Sequence, residues 1–195
     1  MILSTPRFTL QPLQPGDEAE LYGLYGNGEF MRFAGSDPWV DAAAATQFIE
    51  RAQEGLASMT SVRLGVFEGC QLVGTCGLLS IDLNHRRADL GYGVSVPQWG
   101  RGIAREAADA LIRWGFSELG LRRIAAWVDP NNTASIRVLG SLGFRHEGTL
   151  RSHLYSGGRA FDSQVYGLLA TERPSSADHT AARQPSLNAN PLQQS

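Results

Sequence analysis

One segment, Gly91–Ala108, limits most strongly what this chain can fold into. It reads GYGVSVPQWGRGIAREAA, which combines a strand-like stretch, a turn with two glycines and the start of a helix. Five apolar residues recur at helical spacing and predict the buried face of this helix: Ile103, Ala107, Ala110, Leu111 and Trp114. A further strand is predicted at Arg123–Val128. The resulting strand, helix, strand unit requires a right-handed crossover between two adjacent parallel strands.

The sequence around this unit continues to alternate between strands and helices. Strands are predicted at Phe8–Leu13, Ser61–Phe67, Gln71–Ile81, Ala88–Val96, Phe144–Tyr155 and Phe161–Leu169. Helices are predicted at residues 17–25, 41–56 and 132–142. Two pairs of strands are joined by short glycine-containing turns, which favour antiparallel hairpins. These elements predict an α/β fold with a mixed, mostly antiparallel sheet flanked by helices.

Length and composition indicate one globular domain followed by a tail. The chain has 195 residues, of which 43% are hydrophobic and 18% charged, as in ordinary soluble domains. We expect residues 1–172 to form a single domain. From 173 to 195 the sequence is dominated by Pro, Ser, Ala, Asn and Gln. Because so few large apolar residues cannot offset the entropy of ordering, we predict a disordered C-terminal tail.

Charge and residue types exclude several classes of function. The formal net charge is -2, which argues against nucleic-acid binding because phosphate affinity needs concentrated positive charge. All 17 basic residues are Arg, so a Walker-type loop and Schiff-base chemistry are excluded. The N-terminus lacks a signal-peptide pattern and no apolar run approaches ~18 residues, so we expect a cytoplasmic protein without membrane contact. Cys70 and Cys76 lack the companions of a zinc site, and no metal is expected.

The turn at Gly100–Gly102 has the chemistry of an anion site. Its glycines allow backbone amides to approach a phosphate, and it opens directly onto a helix N-terminus. Arg101 and Arg105 add forked donors that match phosphate oxygens. A dinucleotide-binding fingerprint fails here, because its third glycine would fall at Arg105. The pattern therefore predicts a pyrophosphate cradle, with an ordinary strand-to-helix turn as the alternative.

Two motifs about thirty residues apart resemble those of a known family. They are Trp99–Ala104 (WGRGIA) and Asn132–Ser135 (NTAS), the second opening a helix that ends in LGF and is followed by Glu147-Gly148. Together they resemble the GNAT superfamily of acetyl-CoA-dependent N-acetyltransferases, and most closely its RimJ/RimL-type branch of ribosomal-protein N-terminal acetyltransferases. The resemblance implies the acyl-CoA N-acyltransferase fold, in which the central parallel strands splay apart and the pantetheine arm of acetyl-CoA lies in the gap.

The resemblance also implies which residues contact acetyl-CoA. The pantetheine would pair with the end of the central strand, the pyrophosphate would lie on the amides of the turn, and residues of the second motif would reach the cofactor from across the gap. The cofactor-binding residues so implied are Val94, Ser95, Val96, Gly100, Arg101, Gly102, Ile103, Ala104, Arg105, Asn132 and Ser135. A backbone amide near Val94 or Val96 would serve as the oxyanion donor.

Direct attack by a neutral amine on the thioester is the reaction that the resemblance implies. Ser135 is then the acid that protonates the departing thiolate, with a plain helix-capping role as the alternative. Leu139 occupies the position where many superfamily members have a Tyr acid, which favours Ser135 as the acid. Leu154 occupies the position where branch members have a Glu, so the identity of the general base is left open. Asp89 is the first candidate base and His153 the second, and a solvated Asp89 paired with a neighbouring Arg is the alternative.

The acceptor pocket is expected to be lined by aromatic and other large side chains. These are Phe30, Met31, Phe33, Trp39, Tyr92, His153 and Tyr155, although large apolar residues are also typical of a core. The residues from Phe30 to Trp39 are predicted to form a loop at the lip of this pocket, and the lip carries only the acids Glu29, Asp37 and Asp41. Because a polycation would favour an acidic groove, a peptide N-terminus or a small neutral amine is favoured as the acceptor over spermidine, and a polyamine or aminoglycoside acetyltransferase is the alternative. A non-catalytic CoA-binding module and a longer-chain acyltransferase remain alternatives. A homodimer is a further expectation.

Overall fold

The computed structural model describes residues 1–156 and 158–173 of the chain. The predicted disordered tail, apart from its first residue, therefore lies outside the described residues. Eight strands form one sheet in the order β1-β2-β3-β4-β5-β6-β8-β7. Their bounds are β1 Leu3–Ser4, β2 Thr9–Pro12, β3 Val62–Glu68, β4 Gln71–Asp82, β5 Arg87–Val94, β6 Arg123–Val128, β7 Arg145–Ser156 and β8 Arg159–Leu169. Both predicted hairpins are confirmed, as β3–β4 and β7–β8.

Helices cover both faces of this sheet. They are α1 Glu18–Tyr25, α2 Gly28–Met31, α3 Ala43–Ala57, α4 Ile103–Ser117 and α5 Thr133–Ser141. The main core packs α4 and α5 against one face, where Leu64, Leu111 and Ile124 are fully buried. A smaller cluster packs α1 and α3 against the other face around Leu21 and Ile49. No helix among the described residues has the length and apolar character needed to cross a bilayer.

The central parallel pair confirms the strand, helix, strand prediction. β5 and β6 are parallel neighbours, whereas the other strand pairs of the sheet are antiparallel. Their pairing runs from Arg87↔Arg123 only to Asp89↔Ala125, although β5 continues to Val94 and β6 to Val128. The two strands therefore splay apart, and the facing backbone edges beyond Asp89 have no strand partner in this sheet.

One short helix was not anticipated from the sequence. The region around Phe30 was predicted to be a loop, but α2 forms there as a single turn. The side chain of Asn27 caps it by accepting hydrogen bonds from the amides of Glu29 at 2.9 Å and Phe30 at 3.1 Å. This cap holds Phe30 over β5, where a Cβ atom on Gly93 would come within 2.6 Å of the ring.

Candidate active site

A cavity of about 670 Å³ opens where β5 and β6 separate. Its walls are the end of β5, the glycine turn before α4, the first turns of α4 and α5, and residues of α1 and α2. The residues predicted from the sequence that line it are Phe30, Phe33, Tyr92, Val94, Gly100, Arg101, Gly102, Ile103, Ala104, Arg105, Asn132 and Ser135. The two motifs that lie about thirty residues apart in the sequence thus meet in one cavity.

The glycine turn is built as an anion site requires. Gly100 has a φ of 77° and Gly102 a φ of 75°, a left-handed conformation that side chains other than glycine rarely adopt. Gly102 is the N-cap of α4, and no described side chain caps the amides of its first turn. Uncapped amides at the start of a 15-residue helix provide donors and a partial positive charge. The cradle therefore fits the pyrophosphate of acetyl-CoA.

The two Arg residues of the turn are placed differently. Arg101 forms a two-pronged ion pair with Glu68 at the end of β3, with N–O distances of 2.9 and 2.6 Å. Hydrogen bonding to Arg101 lowers the pKa of Glu68. Arg7 donates a further bond to the Arg101 carbonyl at 2.9 Å. Both Arg residues line the cavity. Arg101 is held against the turn by its ion pair, whereas Arg105 forms no ion pair with any described residue.

Fewer residues at the end of β5 reach the cavity than the sequence suggested. Val94 lines the cavity, and its carbonyl accepts a hydrogen bond from the Trp99 indole at 2.7 Å. Ser95 and Val96 lie outside the lining: the Ser95 amide donates to the Val73 carbonyl at 2.9 Å, and Val96 begins a 3-10 turn. Of the three strand residues implied for pantetheine binding, Val94 is the one that reaches the gap.

A pair of hydroxyl groups lies inside the cavity. The Tyr92 hydroxyl is 2.9 Å from Ser135 Oγ, at hydrogen-bond distance. Burial raises the pKa of Tyr92 to about 12, although the hydrogen bond with Ser135 acts in the opposite direction. Tyr92 is therefore a neutral phenol with a proton to donate. Tyr92 was expected only to line the acceptor pocket, and its bond to Ser135 was not anticipated.

The structure argues against the alternative in which the Ser135 side chain caps α5. Asn132 is the N-cap of α5, and its side chain accepts the hydrogen bond from the Ser135 amide at 3.0 Å. The Ser135 hydroxyl is directed instead to Tyr92. The helix is thus capped without using the Ser135 side chain.

Asp89, the first candidate base, lies outside the cavity lining. Side chains alternate along a strand, so Asp89 shares a face with Gly91 and Gly93 and points away from the Tyr92 side. It sits at the last paired position of β5 and β6. Its charge contributes to raising the pKa of Arg123, which hydrogen bonding to Glu147 raises more strongly. The pairing with Arg86 or Arg87 considered from the sequence is not present, because Arg87 contacts Asp82 instead.

The residues predicted to bind the acceptor fall into two groups. Phe30 and Phe33 line the cavity. Met31 is buried in the interior with 5% exposure, and the Trp39 ring stacks on Tyr25 with 4.4 Å between ring centroids. Both residues therefore pack in the interior, which was the alternative to lining the acceptor pocket.

The two β7 residues of that set do not reach the cavity. His153 stacks on Trp127 at 4.9 Å and faces a separate shallow depression, while Tyr155 is 74% exposed. His153 is therefore also outside the lining as a candidate base.

Several cavity residues were missed in the sequence. They are Tyr25, Arg63, Thr75, Trp127 and Arg137. Glu29, which was predicted on the lip of the pocket, lines the cavity too. The Tyr25 hydroxyl lies 2.8 Å from Thr75 Oγ1. The sequence feature that could have identified Arg63 is its position as a charged residue within the otherwise apolar strand VRLGVF.

Cys76 lines the cavity but is unsuited to act as a nucleophile. It is 2% exposed, and burial raises the pKa of its thiol to about 12. Because the thiolate is the reactive form, this thiol is inert near neutral pH.

Comparisons with known proteins agree with this geometry. A family model described as an acetyltransferase (GNAT) domain matches residues 7–145. The uncharacterized N-acetyltransferase p20 of Bacillus licheniformis is 36% identical, with 87% of this chain and 97% of p20 covered. YdaF of Bacillus subtilis, provisionally named a ribosomal N-acetyltransferase, is 30% identical, with 84% of this chain and 92% of YdaF covered.

Solved structures share the fold. Mycobacterium smegmatis RimJ in complex with a CoA-disulfide superimposes with a TM-score of 0.80 at 24% identity, covering 93% of each chain. Spermidine N-acetyltransferase from Vibrio cholerae, in complex with CoA and spermine, superimposes with a TM-score of 0.76 at 22% identity, covering 86% of this chain and 98% of that one.

Proposed function

This chain belongs to the GNAT acetyltransferase family and is an acetyl-CoA-dependent N-acetyltransferase, and we propose that it acetylates a primary amine by direct attack while both substrates are bound. We place this activity in one domain spanning residues 1–172. The acceptor that we favour is a peptide N-terminus or a small amine. The hydrogen-bonded pair of Tyr92 and Ser135 in the strand gap is the observation that carries the proposal.

Acetyl-CoA would be held by backbone groups and by Arg105, for which no ion pair is present among residues 1–156 and 158–173. The amides from Gly100 to Ala104 would bind the pyrophosphate, and Arg105 would add charge at the same end. The unpaired edges of β5 and β6 beyond Asp89 provide the length of backbone that the pantetheine amides need. Asn132, at the start of α5, would lie against the same arm.

The reaction requires two proton movements. The neutral amine forms a bond to the thioester carbon, the carbon–sulfur bond breaks, and the thiolate takes a proton from Ser135. Ser135 regains that proton from Tyr92, and Tyr92 is reprotonated by water in the cavity, so that the proton released by the amine balances the one taken up by the thiolate. Tyr92 suits this role because burial keeps its phenol protonated, with a pKa of about 12. The proton of the attacking amine leaves through water at the cavity mouth, since Asp89 and His153 lie outside the lining.

The charges in the cavity favour this acceptor class over a polycation. Among the described lining residues, Arg63, Arg101, Arg105 and Arg137 are cations, whereas Glu29 is the single carboxylate. A spermidine-like substrate would bring several positive charges toward these cations. A small amine or a peptide N-terminus brings at most one positive charge, so the repulsion is weaker.

The decisive experiment measures free CoA release from acetyl-CoA with three groups of acceptors: short peptides, polyamines and aminoglycosides. We expect turnover with peptides or small amines, and reduced turnover in Ser135→Ala. Acetyl-CoA binding without CoA release for any amine would support the non-catalytic alternative. Turnover restricted to polyamines would overturn our choice of acceptor. Parallel assays with propionyl-CoA and succinyl-CoA separate an acetyltransferase from a longer-chain acyltransferase.

A further inference from the structure

Arg63 is a partly buried cation that has no acidic partner in the part of the chain that the structure describes. It lies on β3 and lines the acceptor side of the cavity, where its guanidinium sits 5.3 Å from the centre of the Phe48 ring. Among the described residues it forms no salt bridge. Its charged neighbour is Arg51, which repels it. The site thus presents guanidinium donors that the fold itself leaves unpaired.

An arrangement of this kind is costly unless something compensates for it. Burial lowers the pKa of Arg63, because the charged form loses part of its hydration. Contact with one aromatic face returns only part of that cost. Buried charges in proteins are normally paired. An anion that entered the cavity with the substrate would compensate for this cost.

The sheet provides an open path from Arg63 to the strand gap. Arg63 is the register partner of Gly77, and Gly77 is the register partner of Gly91, so the three residues form one row on the same face. A Cβ atom on Gly77 would lie 2.8 Å from the Val62 carbonyl and 3.4 Å from Arg63 Cγ. The Arg63 side chain thus lies across Gly77, where no other side chain separates it from Gly91. Arg63, Gly77 and Gly91 all line the cavity, so the cavity is continuous from Arg63 to the strand gap.

We propose that Arg63 binds a carboxylate of the acceptor, so that the substrate is an amine that also carries a carboxylate some distance away. Two strand spacings separate Arg63 from Gly91, or ~10 Å between backbones. Since the side chain of Arg63 covers part of that span, the acceptor has the size of a short peptide. This inference rests on the proposed function, because it assigns the acceptor for the same cavity.

The test compares matched acceptors. Di- and tripeptides with a free C-terminal carboxylate are assayed beside the same peptides as C-terminal amides. In the unmodified protein we expect kcat/KM to be roughly ten-fold to a hundred-fold higher for the carboxylates, the range for hydrogen bonds to charged groups. Arg63→Met should bring the ratio near one, and Arg63→Lys should retain part of it. Thermal unfolding of each variant shows whether the fold is intact.

Arg32→Met is the matched control. Arg32 also lies against an aromatic ring of the cavity, 5.0 Å from the centre of Phe33, but it is exposed. Its substitution should leave the carboxylate-to-amide ratio unchanged. Equal preference in Arg63→Met and the unmodified protein, or no preference in the unmodified protein, would overturn the proposal.

A binding measurement separates this inference from the proposed function. The N-acetylated peptides are titrated, as carboxylates and as amides, onto the protein saturated with CoA and followed by NMR. Carboxylate-selective binding that Arg63→Met abolishes would support the anion site even if no amine is acetylated, in which case the proposed function fails alone. Turnover with peptides but no selectivity in either assay would leave the function standing and refute the role of Arg63.

Discussion

The Tyr92 hydroxyl lies 2.9 Å from Ser135 Oγ, so a residue on β5 and a residue in the first turn of α5 meet across the gap between the splayed strands. The two residues are 43 positions apart in the chain. Each side chain occupies a site that other interactions define: β5 aligns Tyr92 with Cys76, and the Asn132 cap orients the turn that carries Ser135. The fold thus holds the pair at hydrogen-bond distance, as the proposed proton transfer requires.

Removing either hydroxyl should slow the reaction without weakening cofactor binding. We expect Ser135→Ala and Tyr92→Phe each to lower kcat by roughly 10², the range for a general acid. The double variant should be little worse than either single one, because residues that act as a unit are not additive. Steady-state kinetics and calorimetry with acetyl-CoA measure the two effects. Additive losses would show that the hydroxyls act separately.

The pH dependence of the Ser135→Ala defect distinguishes proton donation from positioning. Unassisted thiolate departure becomes harder below the pKa of the CoA thiol, so the deficit should grow as the pH falls. The comparison is made on kcat ratios from pH 6 to 9. A ratio that stays constant over that range would indicate that Ser135 only positions the thioester.

Substitution of Gly102 tests the phosphate cradle. Gly102→Asp introduces a negative charge where two like charges ~4 Å apart interact by about 4 kcal/mol at an effective dielectric of ~20, so acetyl-CoA binding should be lost. Gly102→Asn is the control, since Asn tolerates a positive φ and has the same size without the charge. Calorimetry should show a much smaller loss for Asn. Equal loss for both would mean that shape, not charge, excludes the ligand.

Gly93 and Phe30 should behave as a coupled pair. A Cβ atom on Gly93 would come within 2.6 Å of the Phe30 ring, so Gly93→Ala must displace that ring. Because Phe30 lines the cavity, we expect KM for the amine to change several-fold. The same change in a Phe30→Ala background should have little additional effect on amine KM. If the two substitutions changed the KM for the amine independently, the effect of Gly93→Ala would not act through the Phe30 ring.

Stability should fall in alkali because three buried groups hold their protons in the folded state: Cys76, Tyr92 and also Tyr25, whose pKa is raised by burial. Burial raises the pKa of Cys76 from 9.0 to about 12 and that of Tyr92 from 10.0 to about 12. The folded state holds these protons while the unfolded chain releases them, so the free energy of unfolding is unaffected below pH 9 and decreases as the pH rises toward 12. Each group should contribute on the order of 1 kcal/mol per pH unit.

The chain is well suited to this measurement because it has no Lys, and its Arg residues stay charged. Urea unfolding at pH 7, 9, 10 and 11 gives the slope. Cys76→Ala should lower stability at pH 7 through the cavity it leaves, yet flatten the decrease between pH 9 and 10. An unchanged slope in that variant would assign the alkaline loss to other groups.

Much of the fold follows from the sequence alone because its signals are local. Helical spacing of apolar residues identified α4, and β6 was predicted with its observed bounds at Arg123–Val128. The glycine turn and the parallel β5–β6 pair follow from turn chemistry and from the length of the crossover, which depend on residues close in the chain. The two family motifs are recognisable in the sequence for the same reason, because each consists of consecutive residues.

The chemistry inside the cavity was decided by tertiary structure, because strand register determines which face a side chain occupies. A shift of one residue moves every side chain to the other face. The register of β5 places Tyr92 toward α5 and leaves Asp89 outside the lining. The register of β3 sets Arg63 beside Gly77, and both line the same cavity. These relationships join residues far apart in the chain, and no local pattern specifies them.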